Sequence, residues 1–82
     1  MITLTLYSRP DCHLCEIMSR DLEPLVQGRA QVTIVDISEN DELERRYGRR
    51  IPVLAAGADE LSCYRLDVAR VERFLTSAAM YE

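Results

Sequence analysis

Two cysteines three positions apart, Cys12 and Cys15, stand where the hydrophobic pattern of the chain changes its period. Over residues 2–7, apolar residues alternate with residues that favour a pleated surface, which is the period of a β-strand. After the cysteine pair the apolar residues recur at helical spacing. These residues are Leu14, Ile17, Met18, Leu22 and Leu25. The sequence therefore predicts a strand followed by a helix whose first turn carries both cysteines.

The remaining residues predict five more elements in the order strand, helix, strand, strand, helix. Residues 31–37 are rich in Val and Ile and favour a strand, and residues 40–47 favour a short helix that stops at Gly48. Residues 53–56 and 60–65 flank a turn and predict a hairpin. Asp67 can cap a final helix whose apolar stripe is Val71, Phe74, Leu75 and Ala78. The order βαβαββα predicts an α/β fold with a parallel crossover at its start.

Composition limits both the architecture and the partners. A chain of 82 residues with 48% hydrophobic and 29% charged residues predicts one domain, residues 1–82, around one core. A net charge of −4 argues against nucleic acid, which requires a basic face. The first residues show no basic leader, and no apolar run is long enough to span a membrane. We expect a cytoplasmic monomer with no membrane partner.

The position of the cysteine pair predicts thiol chemistry. A helix N-terminus presents unsatisfied N–H groups and the positive end of the helix dipole, and both stabilise a thiolate. Such a site can lower a cysteine pKa from about 8.5 to between ~3.5 and 7.5. Cys12, the outer cysteine, is therefore the candidate nucleophile. Cys15 lies about one turn later, where it can resolve a mixed disulfide formed on Cys12.

The residues next to Cys12 predict opposing electrostatic effects. A protonated His13 would favour the Cys12 thiolate, whereas Asp11 would oppose it through charge repulsion. His13 can equally be a solvated loop residue. The two neighbours therefore modulate the site, but the sign of their combined effect is open at this stage.

The principal alternative is a zinc site, because a CxxC motif often forms half of one. The chain contains no second CxxC, and His13 and Cys63 are the remaining soft ligands. We therefore favour redox chemistry, with no metal. Cys63 has the same strand parity as Leu61, which predicts an inward-facing and inert thiol.

Three segments together resemble a known family. LYSRPDCHLC, RRIPVL and the hairpin followed by an Asp-opened helix are similar to the glutaredoxin-like branch of the thioredoxin superfamily, and specifically to small bacterial members with a Cys-His-Leu-Cys site. The resemblance implies a four-stranded mixed sheet in the order 2-1-3-4, with the first and third helices on one face. It also implies that Pro52 is cis and that the backbone of Ile51 pairs with substrate beside the cysteines. The implied activity is that of a dithiol-disulfide oxidoreductase.

The chain departs from that family near the end of its last strand. Glutaredoxins usually carry a Gly-Gly pair there, beside the γ-glutamyl end of glutathione, whereas this chain has Tyr64 and Arg65. Asp67 could still bind the glutathione amine, and Arg49 and Arg50 could bind a carboxylate.

The role of glutathione as a co-substrate therefore stays open, and we expect no other cofactor. The leading expectation is an enzyme acting on protein disulfides or glutathione-linked substrates. The alternatives are a non-catalytic adaptor with the same fold and a metal or iron-sulfur carrier that uses Cys12.

Overall fold

The computed structural model describes residues 2–79, and these form seven main helices and strands. The strands are β1 (Ile2–Ser8), β2 (Ala30–Asp36), β3 (Val53–Ala56) and β4 (Asp59–Cys63), and the helices are α1 (His13–Val26), α2 (Asp41–Tyr47) and α3 (Val68–Ala79). A single 3₁₀ turn, Ile37–Glu39, connects β2 to α2. The predicted order βαβαββα is confirmed. None of the helices within residues 2–79 is long and apolar enough to cross a bilayer.

The four strands form one mixed sheet in the order β2-β1-β3-β4, as the resemblance implied. β1 is central: it runs parallel to β2 and antiparallel to β3. The parallel pairing requires a crossover, and α1 provides it. The antiparallel pairing places Tyr7 opposite Val53, so the C-terminal end of β1 and the N-terminal end of β3 lie at the same edge of the sheet.

Apolar side chains cover both faces of the sheet. The larger cluster joins the sheet to α1 and α3 through Leu4, Leu6, Met18, Leu22, Leu54, Leu61, Val71 and Leu75. The smaller cluster, on the face of α2, contains Ile37, Tyr47 and Val53, with Tyr7, Leu43 and Ile51 packed against it. The predicted division, with α1 and α3 on one face and α2 on the other, follows from these two clusters.

The inward face of α1 differs from the predicted stripe by one position. The buried residues are Cys15, Met18, Leu22 and Val26, whereas Leu14 is 44% exposed. The helix begins directly after Cys12, which is its N-cap. It also continues past Pro24 to Val26, and Gly28 ends the following turn with a φ of 74°. Leu14 is therefore a surface residue beside the cysteines.

Cys63 is a correction to the sequence analysis, because it is exposed. The pairing between β3 and β4 shifts register, and Leu61 is the additional residue of a β-bulge. Leu61 and Ser62 are consequently both buried, although they are sequence neighbours. The bulge resets the alternation, so Cys63 no longer shares the inward face of Leu61. β4 also ends at Cys63, two residues earlier than predicted.

An ion pair joins α3 to the turn between α1 and β2. The two guanidinium nitrogens of Arg29 donate to the two carboxylate oxygens of Glu72 at 3.0 and 2.9 Å. These hydrogen bonds lower the pKa of Glu72 below its ordinary value. The pair spans 43 positions of sequence and therefore links the first half of the fold to its last helix.

Accessibility of Cys63 gives the first prediction. In the oxidised protein Cys12 and Cys15 are joined in a disulfide, so Cys63 is the one remaining thiol of the three cysteines. We expect iodoacetamide to add a single carbamidomethyl group to the native oxidised protein, at a rate close to that of a cysteine peptide. Peptide mass analysis should locate the group on Cys63. Labelling that requires denaturant would contradict the bulged geometry.

Glu72→Gln should make the protein less stable at neutral pH but not at low pH. The pKa of Glu72 is lowered on folding, so its stabilisation is present above the unfolded value of about 4.3 and is lost as pH falls through the folded value. We expect a lower urea midpoint for the variant at pH 7 and a difference from the native protein that shrinks as the pH falls below about 4.3. Glu23→Gln, which removes an exposed carboxylate from α1, is the control. Equal midpoints at pH 7 would show that the pair contributes nothing.

Candidate functional site

Cys12 and Cys15 form a disulfide at the N-terminus of α1. Their Cα atoms are 5.2 Å apart, a normal separation for a disulfide. Cys12 is the N-cap residue and is half-buried, and its Sγ accepts a hydrogen bond from the backbone N–H of Cys15 at 3.2 Å. Cys15 is only 5% exposed. An external molecule can therefore reach Cys12 more easily than Cys15.

His13 and Asp11 both lie at the surface beside Cys12. The His13 side chain is 81% exposed, and its Nδ1 is 4.0 Å from the Glu16 carboxylate. Asp11 is exposed and has a φ of 62°, a left-handed conformation that Asp tolerates better than most residues. This turn lets the chain leave β1 and present Cys12 at the helix start. Glu16 is a further negative charge near the cysteines that the sequence analysis did not include.

Pro52 lies at the end of the sheet where β1 stops and the chain continues to Cys12. The peptide bond from Ile51 to Pro52 is cis, and Pro52 is buried while Ile51 is half-buried. Because Tyr7 pairs with Val53, Pro52 is next to the last residue of β1. The fold therefore brings the Ile51–Pro52 segment to the same end of the sheet as the cysteine pair.

Tyr64 forms hydrogen bonds to the carbonyl groups of Pro52 and Arg49. Its backbone N–H donates to the Pro52 carbonyl at 3.0 Å, and its hydroxyl donates to the Arg49 carbonyl at 2.7 Å. Its φ of 67° lies in the left-handed region, which a residue with a side chain adopts at a cost of about 1–2 kcal/mol. The backbone thus has a conformation that suits glycine, but it carries an aromatic ring that is 48% exposed.

Arg65 and Asp67 connect β4 to α3. Arg65 is exposed, and its backbone N–H donates to the Cys63 carbonyl at 2.8 Å. Asp67 Oδ1 accepts from the backbone N–H of Arg70 at 3.0 Å, as the predicted cap does. This hydrogen bond occupies one oxygen of the Asp67 carboxylate. Asp67 is itself an exposed residue.

Arg50 is held by other protein groups. Its guanidinium forms hydrogen bonds with both carboxylate oxygens of Glu60, and its Nη2 also donates to the Arg46 carbonyl at 3.1 Å. The hydrogen bond from Arg50 lowers the pKa of Glu60 below its ordinary value. Arg50 is therefore less available to a substrate carboxylate than the sequence suggested, whereas the Arg49 side chain is exposed.

Two surface depressions adjoin the cysteine pair. A cleft of about 430 Å³ is lined by Cys12, Cys15 and Arg9, among others. A more apolar groove of about 670 Å³ includes Leu14 and Tyr64 in its lining. Among residues 2–79, no three His, Cys, Asp or Glu side chains are grouped to hold a metal ion, so neither His13 nor Cys63 completes a ligand set with the pair.

The sequence analysis missed Arg9, Glu44 and Glu60. Arg9 forms an ion pair with Glu44 of α2 and also lines the cysteine cleft. Its position three residues before Cys12 was a signal that could have identified it. Glu44 and Glu60 gave no such signal, because their partners are 35 and 10 positions away in sequence.

Solved structures provide an independent comparison. A protein of Nitrosomonas europaea determined by solution NMR is 36% identical with a TM-score of 0.78, over 89% of this chain and 89% of that chain. The X-ray structure of a protein from X. campestris is 33% identical with a TM-score of 0.68, over 90% and 96%. A thioredoxin mutant from Halobacterium salinarum is 24% identical with a TM-score of 0.55, over 93% and 73%, and is similar in fold alone.

Comparison by sequence identifies the family. Curated protein sequences give no match to the chain. The model of the glutaredoxin-like domain (DUF836) matches residues 3–76, which include the cysteine pair, the Ile51–Pro52 segment and most of α3. The chain belongs to this glutaredoxin-like family.

Proposed function

We propose that the protein is a thiol-disulfide oxidoreductase that works through the Cys12–Cys15 pair. One observation carries the proposal: the two sulfurs form a disulfide at a helix N-terminus, with the outer one accessible and the inner one buried. A dithiol at this position can be oxidised and reduced without rearrangement of the fold. The buried position of Cys15 also protects it from external attack, which leaves Cys12 as the sulfur that meets the substrate.

The proposed reaction has two exchange steps. The Cys12 thiolate attacks one sulfur of a substrate disulfide, forms a mixed disulfide and releases the other substrate sulfur as a thiolate, which takes up a proton. The Cys15 thiolate then attacks the Cys12 sulfur, forms the Cys12–Cys15 disulfide and releases the second substrate thiolate. Two electrons pass from the dithiol to the substrate. Two external thiols, or one external dithiol, must then reduce the pair again and are themselves oxidised to a disulfide.

Local groups support a reactive Cys12. The backbone N–H of Cys15 already donates to the Cys12 sulfur at 3.2 Å, and the positive end of the α1 dipole favours negative charge there. The side chains of Asp11 and Glu16 add negative charge, but they are exposed and therefore screened. Because the pair must be reduced repeatedly, the proposed activity belongs in the cytoplasm, where thiols are kept reduced.

We propose protein disulfides as the main substrates and glutathione as a weaker one. An extended polypeptide can use the backbone of Ile51 and the groove beside Leu14. Glutathione is small and depends on each of its contacts. The ring of Tyr64, whose hydroxyl donates to the Arg49 carbonyl, stands where glutaredoxins usually have glycine. Arg65 adds further bulk, while Asp67 remains a candidate contact for the glutathione amine.

Cysteine substitutions test the reaction. Cys12→Ser should abolish reduction of a protein disulfide, because it removes the attacking sulfur. Cys15→Ser should form a mixed disulfide with the same substrate and then stop, since no resolving thiol remains. Intact mass measurement should show the adduct on Cys12. Cys63→Ser is the matched control and should keep full turnover, because Cys63 does not belong to the pair.

Two results would contradict the proposal. The first is undiminished turnover by Cys12→Ser. The second is failure of both the native protein and Cys15→Ser to react with any protein disulfide or glutathione mixed disulfide, which would favour a non-catalytic adaptor. The native protein should be tested with a thioredoxin-type electron donor and with glutathione, so that the lack of a suitable reductant is not mistaken for lack of activity.

Glutathione use should improve when Tyr64 and Arg65 are both replaced by Gly. Glycine suits the left-handed backbone at Tyr64 and removes the ring. We expect a slow glutathione-coupled rate for the native protein and a rate several times higher for the double variant. Reduction of a protein disulfide, measured in parallel, corrects for any loss of folded protein.

Tyr64→Phe separates the ring from its hydrogen bond. This variant keeps the bulk but loses the donation to the Arg49 carbonyl, which contributes about 0.5–1.5 kcal/mol when well formed. Its glutathione-coupled rate should stay slow if the obstruction is steric. Efficient turnover of glutathione mixed disulfides by the native protein would show that Tyr64 and Arg65 do not obstruct the site.

A further inference from the structure

Half of the basic residues of this acidic chain line a single recess. The chain has ten basic residues, all of them Arg, against fourteen acidic ones. A recess of about 730 Å³ at the C-terminal end of α2, here called the arginine recess, is lined by Arg9, Arg45, Arg46, Arg49 and Arg50. A protein with a net charge of −4 therefore carries a local concentration of positive charge on one side.

Three of these arginines are neutralised by carboxylates and two are not. Arg9 pairs with Glu44, Arg45 with Glu42, and Arg50 with Glu60. Within residues 2–79, Arg46 and Arg49 form no ion pair. The recess therefore has two guanidinium groups in excess. Their planar donor groups match the geometry of a carboxylate.

The aromatic core restricts how far these side chains can move. The Arg46 guanidinium carbon is 5.8 Å from the centre of the Tyr47 ring, and that of Arg50 is 5.6 Å from it. Tyr47 is itself buried and stacks on Tyr7, with ring centres 4.1 Å apart. A guanidinium held against a fixed ring loses less freedom when it binds an anion. The recess is thus partly ordered before any ligand enters.

Gly48 also lines the arginine recess. A Cβ atom at this position would clash with the Glu44 carbonyl oxygen and would lie 2.8 Å from Glu44 Oε1 and 3.3 Å from Arg9 Nη2. The Arg9–Glu44 ion pair therefore packs directly over the Gly48 backbone. A side chain there would displace this ion pair.

The arginine recess and the cleft of the proposed exchange site share one lining residue. Arg9 lines both the arginine recess and the cleft that contains Cys12. Arg49 and Arg50 directly precede the Ile51–Pro52 segment along the chain. A polypeptide whose cysteine reacts with Cys12 therefore has neighbouring residues within reach of the recess.

We propose that the arginine recess binds the carboxylates of an acidic segment that lies close to the reacting disulfide of a polypeptide substrate. The proposal rests on the proposed function and adds the class of substrate. A local acidic segment fits better than a long polyanion, because the remainder of the surface is negative and would repel a nucleic acid. The net charge of the whole protein would by itself repel an acidic substrate. A preference for an acidic substrate would therefore have to come from the arginine recess.

Peptide exchange provides the first test. Two peptides carry one activated cysteine disulfide each and differ only in having Glu or Gln at the flanking positions. Cys15→Ser, which retains Cys12, is mixed with each peptide and the second-order rate of adduct formation is measured at low and high salt. We expect the Glu peptide to react roughly 3- to 10-fold faster at low salt, with the ratio approaching one at high salt.

Arginine variants locate the effect. In the Cys15→Ser background, Arg46→Gln together with Arg49→Gln should reduce the Glu-to-Gln rate ratio to one or below. Arg70→Gln together with Arg73→Gln removes the same charge from exposed positions of α3 and should leave the ratio unchanged. A ratio of one in the unaltered Cys15→Ser protein, or equal losses in both double variants, would overturn the proposal.

Binding without chemistry distinguishes this proposal from the proposed function. Ser replaces the cysteine of both peptides, and each is titrated into the oxidised native protein while the arginine Nε–H signals are followed by NMR. The Glu peptide should shift the signals of Arg46 and Arg49, and the Gln peptide should not. Shifts without any exchange would retain the recess and reject the exchange activity. Exchange without these shifts, and without faster reaction of the Glu peptide, would retain the exchange activity and reject the recess as a binding site.

Discussion

The pairing of β1 with β3 is the contact on which the rest of the molecule depends. Leu6 opposite Leu54 belongs to the larger core, while Tyr7 opposite Val53 belongs to the smaller one, so a single ladder aligns both apolar faces. The same ladder places Pro52 beside the end of β1, and the chain reaches Cys12 four residues after that end. Residues distant in sequence thereby lie at the same end of the sheet. The pairing consequently links the stability of the core to the geometry of the cysteine pair.

Local periodicity was enough to predict the elements and the placement of the cysteines, because strands and helices impose their own spacing on apolar residues. Which residues of each pattern face the core was harder to predict. In α1 the small Cys15 is buried and Leu14 faces outward, although the spacing of Leu14 fits the apolar stripe. In β4 the bulge at Leu61 shifts the alternation, which is why the orientation of Cys63 was predicted wrongly. The strand order was available only through the family resemblance.

Long-range electrostatics could not be predicted from the sequence. Charge patterns along a helix indicate partners three or four positions away, as for Arg45 and Glu42. Arg29 and Glu72 are 43 positions apart, and their contact depends on how α3 docks. Whether a charged side chain is available to bind a substrate depends on such ion pairs. The sequence predicted Arg50 as a substrate-binding residue, but Arg50 pairs with Glu60. Arg9 was not predicted, although it lines the cysteine cleft.

The bulge at Leu61 has a consequence for how this sheet meets other molecules. β4 is one of the two outer strands, and regular outer strands expose N–H and C=O groups that can pair with a strand of another chain. A bulge twists the strand and interrupts the spacing of those groups. β4 is only five residues long, which shortens the exposed row further. The irregular hydrogen bonding of this edge strand therefore disfavours the edge-to-edge pairing of sheets through which concentrated β-containing proteins aggregate.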